Sequence, residues 1–181
     1  MAKFILGIVA LLGAGWYFLV DGSKLDEAMV RQFYEQQQHA VLSRDPEALC
    51  KQFAKNAVIK TEALMMGQTT SETHTAKTAC DATRQTWQSF IDMGNKADAI
   101  LTIEYEYKID SIEVSANKKR ATVVTSNTLK MGESFMQFRT TATEELVRNY
   151  RNVQLANSTS KTGVRFNPAA LADPAKFLQS Q

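Results

Sequence analysis

Cysteine is scarce in this chain: Cys50 and Cys80 are the two among 181 residues. That number excludes a disulfide-dense miniprotein. With no C-x-x-C pair, and two histidines at unrelated spacings, no zinc ligand set is legible. Net charge is nearly absent too. A formal +2 gives no electrostatic reason to expect nucleic acid or a strongly acidic partner. The one tight basic cluster, Lys118, Lys119 and Arg120, reads as a solvated hairpin turn, without the wide basic face and stacking aromatics that nucleic acid needs. There is no G-x-S-x-G elbow, no G-x-x-x-x-G-K phosphate loop, no internal repeat and no low-complexity tract. No metal and no cofactor is expected.

What the chain does have is a charge-free start. The stretch "FILGIVALLGAGWYFLV", Phe4 to Val20, is near the lower length limit for a membrane span. Lys3 precedes it and Asp21, Asp26 and Glu27 follow, so the positive-inside rule puts the N-terminus in the cytoplasm and the body outside. Trp16 and Tyr17 stand near the outer end. A retained anchor over 1–22 is the first reading, a cleaved signal the second and a buried helix the third. The body is expected over 23–164 and a tail over 165–181.

Beyond the start, an apolar fraction of 44% suffices for a core. Leu25, Met29, Phe33, Ala40 and Val41 recur at helical spacing between Lys24 and Arg44. Asp45 and Pro46 then suit the cap and first position of a short helix carrying Leu49, Cys50 and Phe53 inward. Ala57 to Leu64 reads as a short strand and "MGQTTSETHT" as a loop. A third helix follows from about Thr75, with Ala79, Cys80, Thr83, Trp87 and Phe90 on one stripe and its end at Gly94. "AILTIEYEYKI", Ala99 to Ile109, alternates strictly, and its phase slips after Asp110 as at a bulge. Three further strands follow, "RATVVTSNTLKM", "SFMQFRTTATEELVRNY" and "VQLANSTSKTGVRF".

This order predicts an α+β fold with three helices packed on a curved, mainly antiparallel sheet. It resembles the nuclear-transport-factor-2-like superfamily, with its SnoaL-like and ketosteroid-isomerase-like members. The resemblance is carried by "FYEQQQHAVLSRDPEALCKQFAKNAVIK", by the "TWQSF" helix and by the hairpin "ILTIEYEYKIDSIEVSANKKRATVVTSNTLKM", and covers roughly Lys24 to Val164. It implies a cone with a pocket at its wide end. It also sets the second and third helices on one side of the cone, so that Cys50 and Cys80 approach and a disulfide is the preferred reading, with two buried thiols as the alternative. Phe33, Gln37 and Trp87 from the helices, and Tyr105, Tyr107, Thr125 and Asn127 from the strands, would line the pocket. No catalytic residue is legible: Glu104 and Glu106 have the wrong phase, His39 and His74 read as solvated, and Arg139, Arg148 and Arg151 beside Glu144 and Glu145 read as compensated surface charge.

The resulting expectation is a bacterial inner-membrane protein, single-pass, its C-terminal domain in the periplasm. It would be a non-enzymatic binding or accessory domain holding a small apolar ligand or a protein partner of an envelope assembly. The alternative is a SnoaL-like enzyme of isomerase, dehydratase or cyclase type acting on a small carbonyl compound. A third reading is a homodimer through the open sheet face. A pair of ionisable groups inside the cone would favour the enzyme; an empty or wholly apolar cone would favour binding.

Overall fold

The computed structural model describes residues 24–96, 102–132, 135–149 and 152–167. Among them are three helices, α1 (Glu27–Leu42), α2 (Pro46–Lys51) and α3 (Ala76–Lys96), and six strands, β1 (Phe53–Met65), β2 (Gln68–Thr75), β3 (Ile103–Val114), β4 (Arg120–Met131), β5 (Met136–Asn149) and β6 (Asn152–Phe166). The strands form one sheet in the order β2-β1-β6-β5-β4-β3.

Local chemistry sets the helix starts. Asp26 accepts a hydrogen bond from the Met29 amide at 2.8 Å, and Asp45 from the Ala48 amide at 2.9 Å, with Pro46 opening α2. Each carboxylate satisfies an amide that the first turn leaves without a helical partner. The α1 stripe buries Val30, Phe33, Tyr34, Ala40 and Val41. The disulfide is present, Cys50 to Cys80, with the Cα atoms 5.2 Å apart. It ties α2 to α3, beside a bidentate contact from Arg84 to Glu47 at 2.5 and 3.0 Å.

Several expectations need correction. The hydroxyl-rich segment after Gly67 is a strand, β2, not a loop. It pairs antiparallel with β1 from Val58↔Thr75 to Met65↔Gln68. Nearly all of it is exposed, because it is an edge strand with no buried face. Its Thr and Ser residues therefore show no apolar alternation, although Thr itself favours strands. The connection is a two-residue turn with Met66 at φ 52° and Gly67 at φ 80°, the twist that suits a hairpin. Gly67→Val is expected to cost this hairpin about 1 kcal/mol or more, because a side chain at that φ is strained. Faster amide exchange along Gln68–Thr75 would report it.

The sheet is mainly antiparallel, as expected, with one parallel pair, β1 beside β6, and the β1–β2 hairpin separates α2 from α3 along the chain. Helix α3 continues past Gly94 to Lys96. The register shift between Ile109 and Ser111 is the phase slip seen in the sequence. The expected anchor over 1–22 lies outside the described residues. Among these, no helix is long and apolar enough to cross a membrane. α3 has 21 residues but carries Lys77, Asp81, Arg84 and Asp92 along its length. A span preceding the domain, and the single-pass inner-membrane and periplasmic assignment built on it, are therefore not supported.

Two apolar clusters pack the helices onto one face of the sheet. One joins Leu25, Val30, Phe33 and Tyr34 to Ala121, Val123, Leu146 and Leu155; the other joins Val41, Trp87 and Met131. Between them α1 lies over the middle of β3 to β6.

Candidate active site

Strand alternation decides what faces α1. On β5 the inward positions run Phe138, Thr140, Ala142, Glu144 and Leu146, every second residue. The ladder then sets Asn127 and Thr162 on either side of Thr140, Thr125 and Ser160 on either side of Ala142, and Val123 and Ser158 on either side of Glu144. A band of hydroxyls, an amide and one carboxyl thus crosses an otherwise apolar face. From α1, Tyr34 and Gln37 descend onto it. Together they enclose a cavity of about 130 Å³, walled also by Tyr105 and Tyr107.

The centre of this cavity is a carboxyl–phenol pair. The Tyr34 hydroxyl donates to Glu144 Oε2 at 2.5 Å, and the Ser158 hydroxyl approaches Oε1 at 3.5 Å. Tyr34 is 2% exposed and Glu144 is 9% exposed. Burial pushes the Glu144 carboxyl above its usual range, while the hydrogen bonds from Tyr34 and Ser158 pull the other way without cancelling it. The Tyr34 hydroxyl is raised by burial and then by the Glu144 charge. Tyr105 is raised first by burial, then by Glu144 and Tyr107. These phenols stay protonated and act as donors at any working pH. Their rings form a ladder: Tyr34 stacks on Tyr107 at 5.9 Å, and Tyr107 on Tyr105 at 6.4 Å. Gln38 Nε2 donates to the Tyr105 carbonyl at 3.1 Å and fixes α1 to β3.

Of the seven pocket residues expected from the sequence, Gln37, Tyr105, Tyr107, Thr125 and Asn127 meet around this cavity. Phe33 and Trp87 stand outside this cavity, in the two apolar clusters, and Phe33 also lines a second cavity beside it. Phe33 edges onto Tyr34 at 5.2 Å and so supports the site from behind. The two residues at its centre were missed. The sequence alone reads Glu144 as surface charge, because it stands beside Glu145 and near three arginines. Glu145 does fit that description, bound to Arg120 at 2.5 Å and to Asn157 at 2.8 Å. The signal that separates the two glutamates is the phase of Phe138, Ala142 and Leu146, which puts Glu144 inside. Tyr34 follows Phe33 and lies four residues after Val30, on the same stripe.

His39 is exposed, and His74 pairs with Glu72 at 2.9 Å on the edge hairpin. No group of three His, Cys, Asp or Glu side chains among the described residues is arranged to hold a metal ion. An interior with a carboxyl and a phenol is neither empty nor wholly apolar. Among the described residues no helix is long and apolar enough to cross a membrane, so the expected membrane-tethered binding domain is not supported.

No protein-family model and no curated protein matches the chain. Solved structures do. A conserved protein from Planctomyces limnophilus is 16% identical with a TM-score of 0.55, covering 78% of this chain and 98% of its own. Nuclear-transport-factor-2-like proteins of unknown function are similar as well. The one from Pseudomonas putida is 17% identical with a TM-score of 0.52, over 75% of this chain and 84% of its own. The one from Shewanella oneidensis is 13% identical with a TM-score of 0.53, over 74% and 97%. At these identities what is shared is the fold, and the fold is nuclear-transport-factor-2-like.

Proposed function

We propose that the cone is the active site of an enzyme that moves a proton on a small carbonyl compound, in the manner of an isomerase or dehydratase. The observation that carries this reading is the buried Glu144 carboxyl, hydrogen-bonded to Tyr34 at 2.5 Å within a cavity of about 130 Å³. A carboxyl with a raised pKa is a stronger base when ionised and a useful acid when protonated, which is how general acid–base catalysis operates near neutral pH. A cavity near about 150 Å³ holds a benzene-sized molecule, so one ring or a short acyl group fits.

In this reading the Glu144 carboxylate takes a proton from the carbon next to the substrate carbonyl. The C–H pair becomes the enolate double bond, and the carbonyl π pair moves to oxygen. Tyr105 and Tyr107 hydroxyls and the Asn127 amide are the donors at hand for that oxygen, where developing charge is best stabilised. Where the substrate carries a β,γ double bond, the pair spreads over a dienolate, and protonated Glu144 returns the proton to the γ-carbon while the enolate oxygen pair re-forms the carbonyl, giving the conjugated isomer. If a leaving group stands β to the carbonyl, its departure with the bond pair gives elimination. Tyr34 is a positioning residue: it holds Oε2 and moderates the carboxyl's basicity.

The test is deuterium exchange from D₂O into the α-carbons of cyclohexanone, followed by NMR. The wild-type chain is expected to accelerate exchange, with a rate that rises as Glu144 ionises. Tyr34→Phe removes a hydrogen bond that lowers the Glu144 pKa, so the rising limb should move to higher pH while the reaction survives. Bound cyclohexanone with exchange no faster than in buffer would sink the proposal, and an unmoved limb in Tyr34→Phe would remove Tyr34 from it.

A further inference from the structure

Beside the Glu144 cavity lies a second one of about 200 Å³, and the two share Gln37 and Tyr105 in their walls. The character of the second is different. Phe33, Val41, Leu49, Phe53 and Leu155 make most of its lining, at the junction of α1, α2, β1 and β6. Its polar members beyond the shared pair are Thr83 and Gln52. The Thr83 hydroxyl is spent on the Ala79 carbonyl at 2.8 Å. Gln52 is held from both sides through its backbone, its N–H on the Leu49 carbonyl at 3.0 Å and its carbonyl receiving the Leu155 N–H at 2.8 Å. Its side-chain Oε1 is the one buried side-chain polar atom among the described residues with no hydrogen-bond partner. Leaving a buried acceptor without a donor is costly and rare in native proteins. The terminal torsion of glutamine is soft, so the carboxamide can turn its oxygen toward a donor in the chamber at little cost.

We propose that Gln52 determines specificity. The substrate is a two-part molecule whose carbonyl end sits at Glu144, whose apolar body of about one ring fills the second chamber, and whose far end carries a hydroxyl or N–H that donates to Gln52 Oε1. This rests on the reading of Glu144 as the reacting end. Gln37 and Tyr105 line both chambers and so stand between them.

Three ketones test it by calorimetric titration of the wild-type chain: cyclohexanone, 4-phenylcyclohexanone and 4-(4-hydroxyphenyl)cyclohexanone. Burial of the phenyl ring in the apolar chamber is expected to tighten binding by about tenfold or more over cyclohexanone. The phenol should add roughly another tenfold by donating to the orphaned oxygen. In Gln52→Leu the phenol's advantage over the phenyl ketone should fall to about one. Equal affinity of phenyl ketone and cyclohexanone would remove the second chamber from the site. Equal affinity of phenol and phenyl ketone in the wild type, as when water satisfies Gln52, would overturn the role of Gln52. So would a phenol advantage that survives in Gln52→Leu. Exchange measured on the same three ketones separates the two ideas. The expected affinity ratios without α-exchange would leave Gln52's role standing and defeat proton transfer; exchange without the ratios would do the reverse.

Discussion

Glu144→Gln is expected to lower the α-proton exchange rate by about 10²- to 10⁴-fold, the usual worth of a general acid–base residue. It should also make the chain more stable above mildly acidic pH. The amide keeps the size of the side chain and still accepts from the Tyr34 hydroxyl, but it carries no proton to lose. The sign of the pH effect follows from the raised pKa of the buried carboxyl. Between the unfolded value near 4.5 and the higher folded value, the native chain holds a proton that the unfolded chain has released. Glu144 thus contributes its full share of stability below the unfolded pKa, and that share is lost as pH rises through the folded pKa. Each pKa unit of separation corresponds to about 1.4 kcal/mol. The gain of Glu144→Gln over wild type should therefore be absent near pH 4, grow as pH rises, and level off above the folded pKa. Urea midpoints at several pH values measure it. A difference that does not change with pH would mean that Glu144 titrates normally, and the acid–base role would lose its basis. Lower activity with higher stability, in a residue at the bottom of a cavity, is the pattern expected of a strained functional group.

The second large effect concerns the disulfide. Reduction, or Cys50→Ser or Cys80→Ser, is expected to cost about 3–4 kcal/mol in the chain-entropy account for a bridge of this span, here 30 residues. The reason for such dependence is local. Helix α2 has six residues and no fully buried side chain, far below the length at which a helix holds itself in water. The bridge to α3 supplies what its packing lacks. The ion pair between Arg84 and Glu47 runs alongside, but both side chains are about half exposed, so it adds little. The double variant should lose no more than either single one, because each alone already breaks the bridge. Equal and additive losses would mean that the two sulfurs act as separate packed groups.

Much of the fold was legible because its signals are local. Asp45-Pro46 announced α2, the Leu101–Ile109 alternation announced β3, and the slip after Asp110 announced the bulge. What escaped depends on partners distant in sequence. β2 has no buried face, so nothing in its own residues distinguishes a strand from a loop until β1 is beside it. The parallel pairing of β1 with β6 joins segments about a hundred residues apart, as in Lys60↔Thr159. At the site, Gln37, Tyr105, Tyr107, Thr125 and Asn127, which meet around the cavity, come from stretches of α1, β3 and β4 with an unbroken period. Glu144 was lost because residue type outweighed phase: a glutamate beside a glutamate looks like surface. The polar band is covered by Tyr34 and Gln37, while Phe33 walls the neighbouring chamber and Trp87 packs in an apolar cluster.

The place of β6 in the sheet has a consequence for how the molecule is made. The final strand of the described chain is not an edge; it is inserted between β1 and β5. During synthesis the β1–β2 hairpin and the β3–β4–β5 meander can each form early, but both present an open edge until β6 emerges between them. Ser158 and Ser160, which line the Glu144 cavity, arrive only then. The nascent chain therefore passes through a stage with two unpaired edges, the condition most prone to wrong pairing with neighbours. Non-local closure of this kind is slow, and a chain stopped before β6 would have neither a continuous sheet nor a complete cavity.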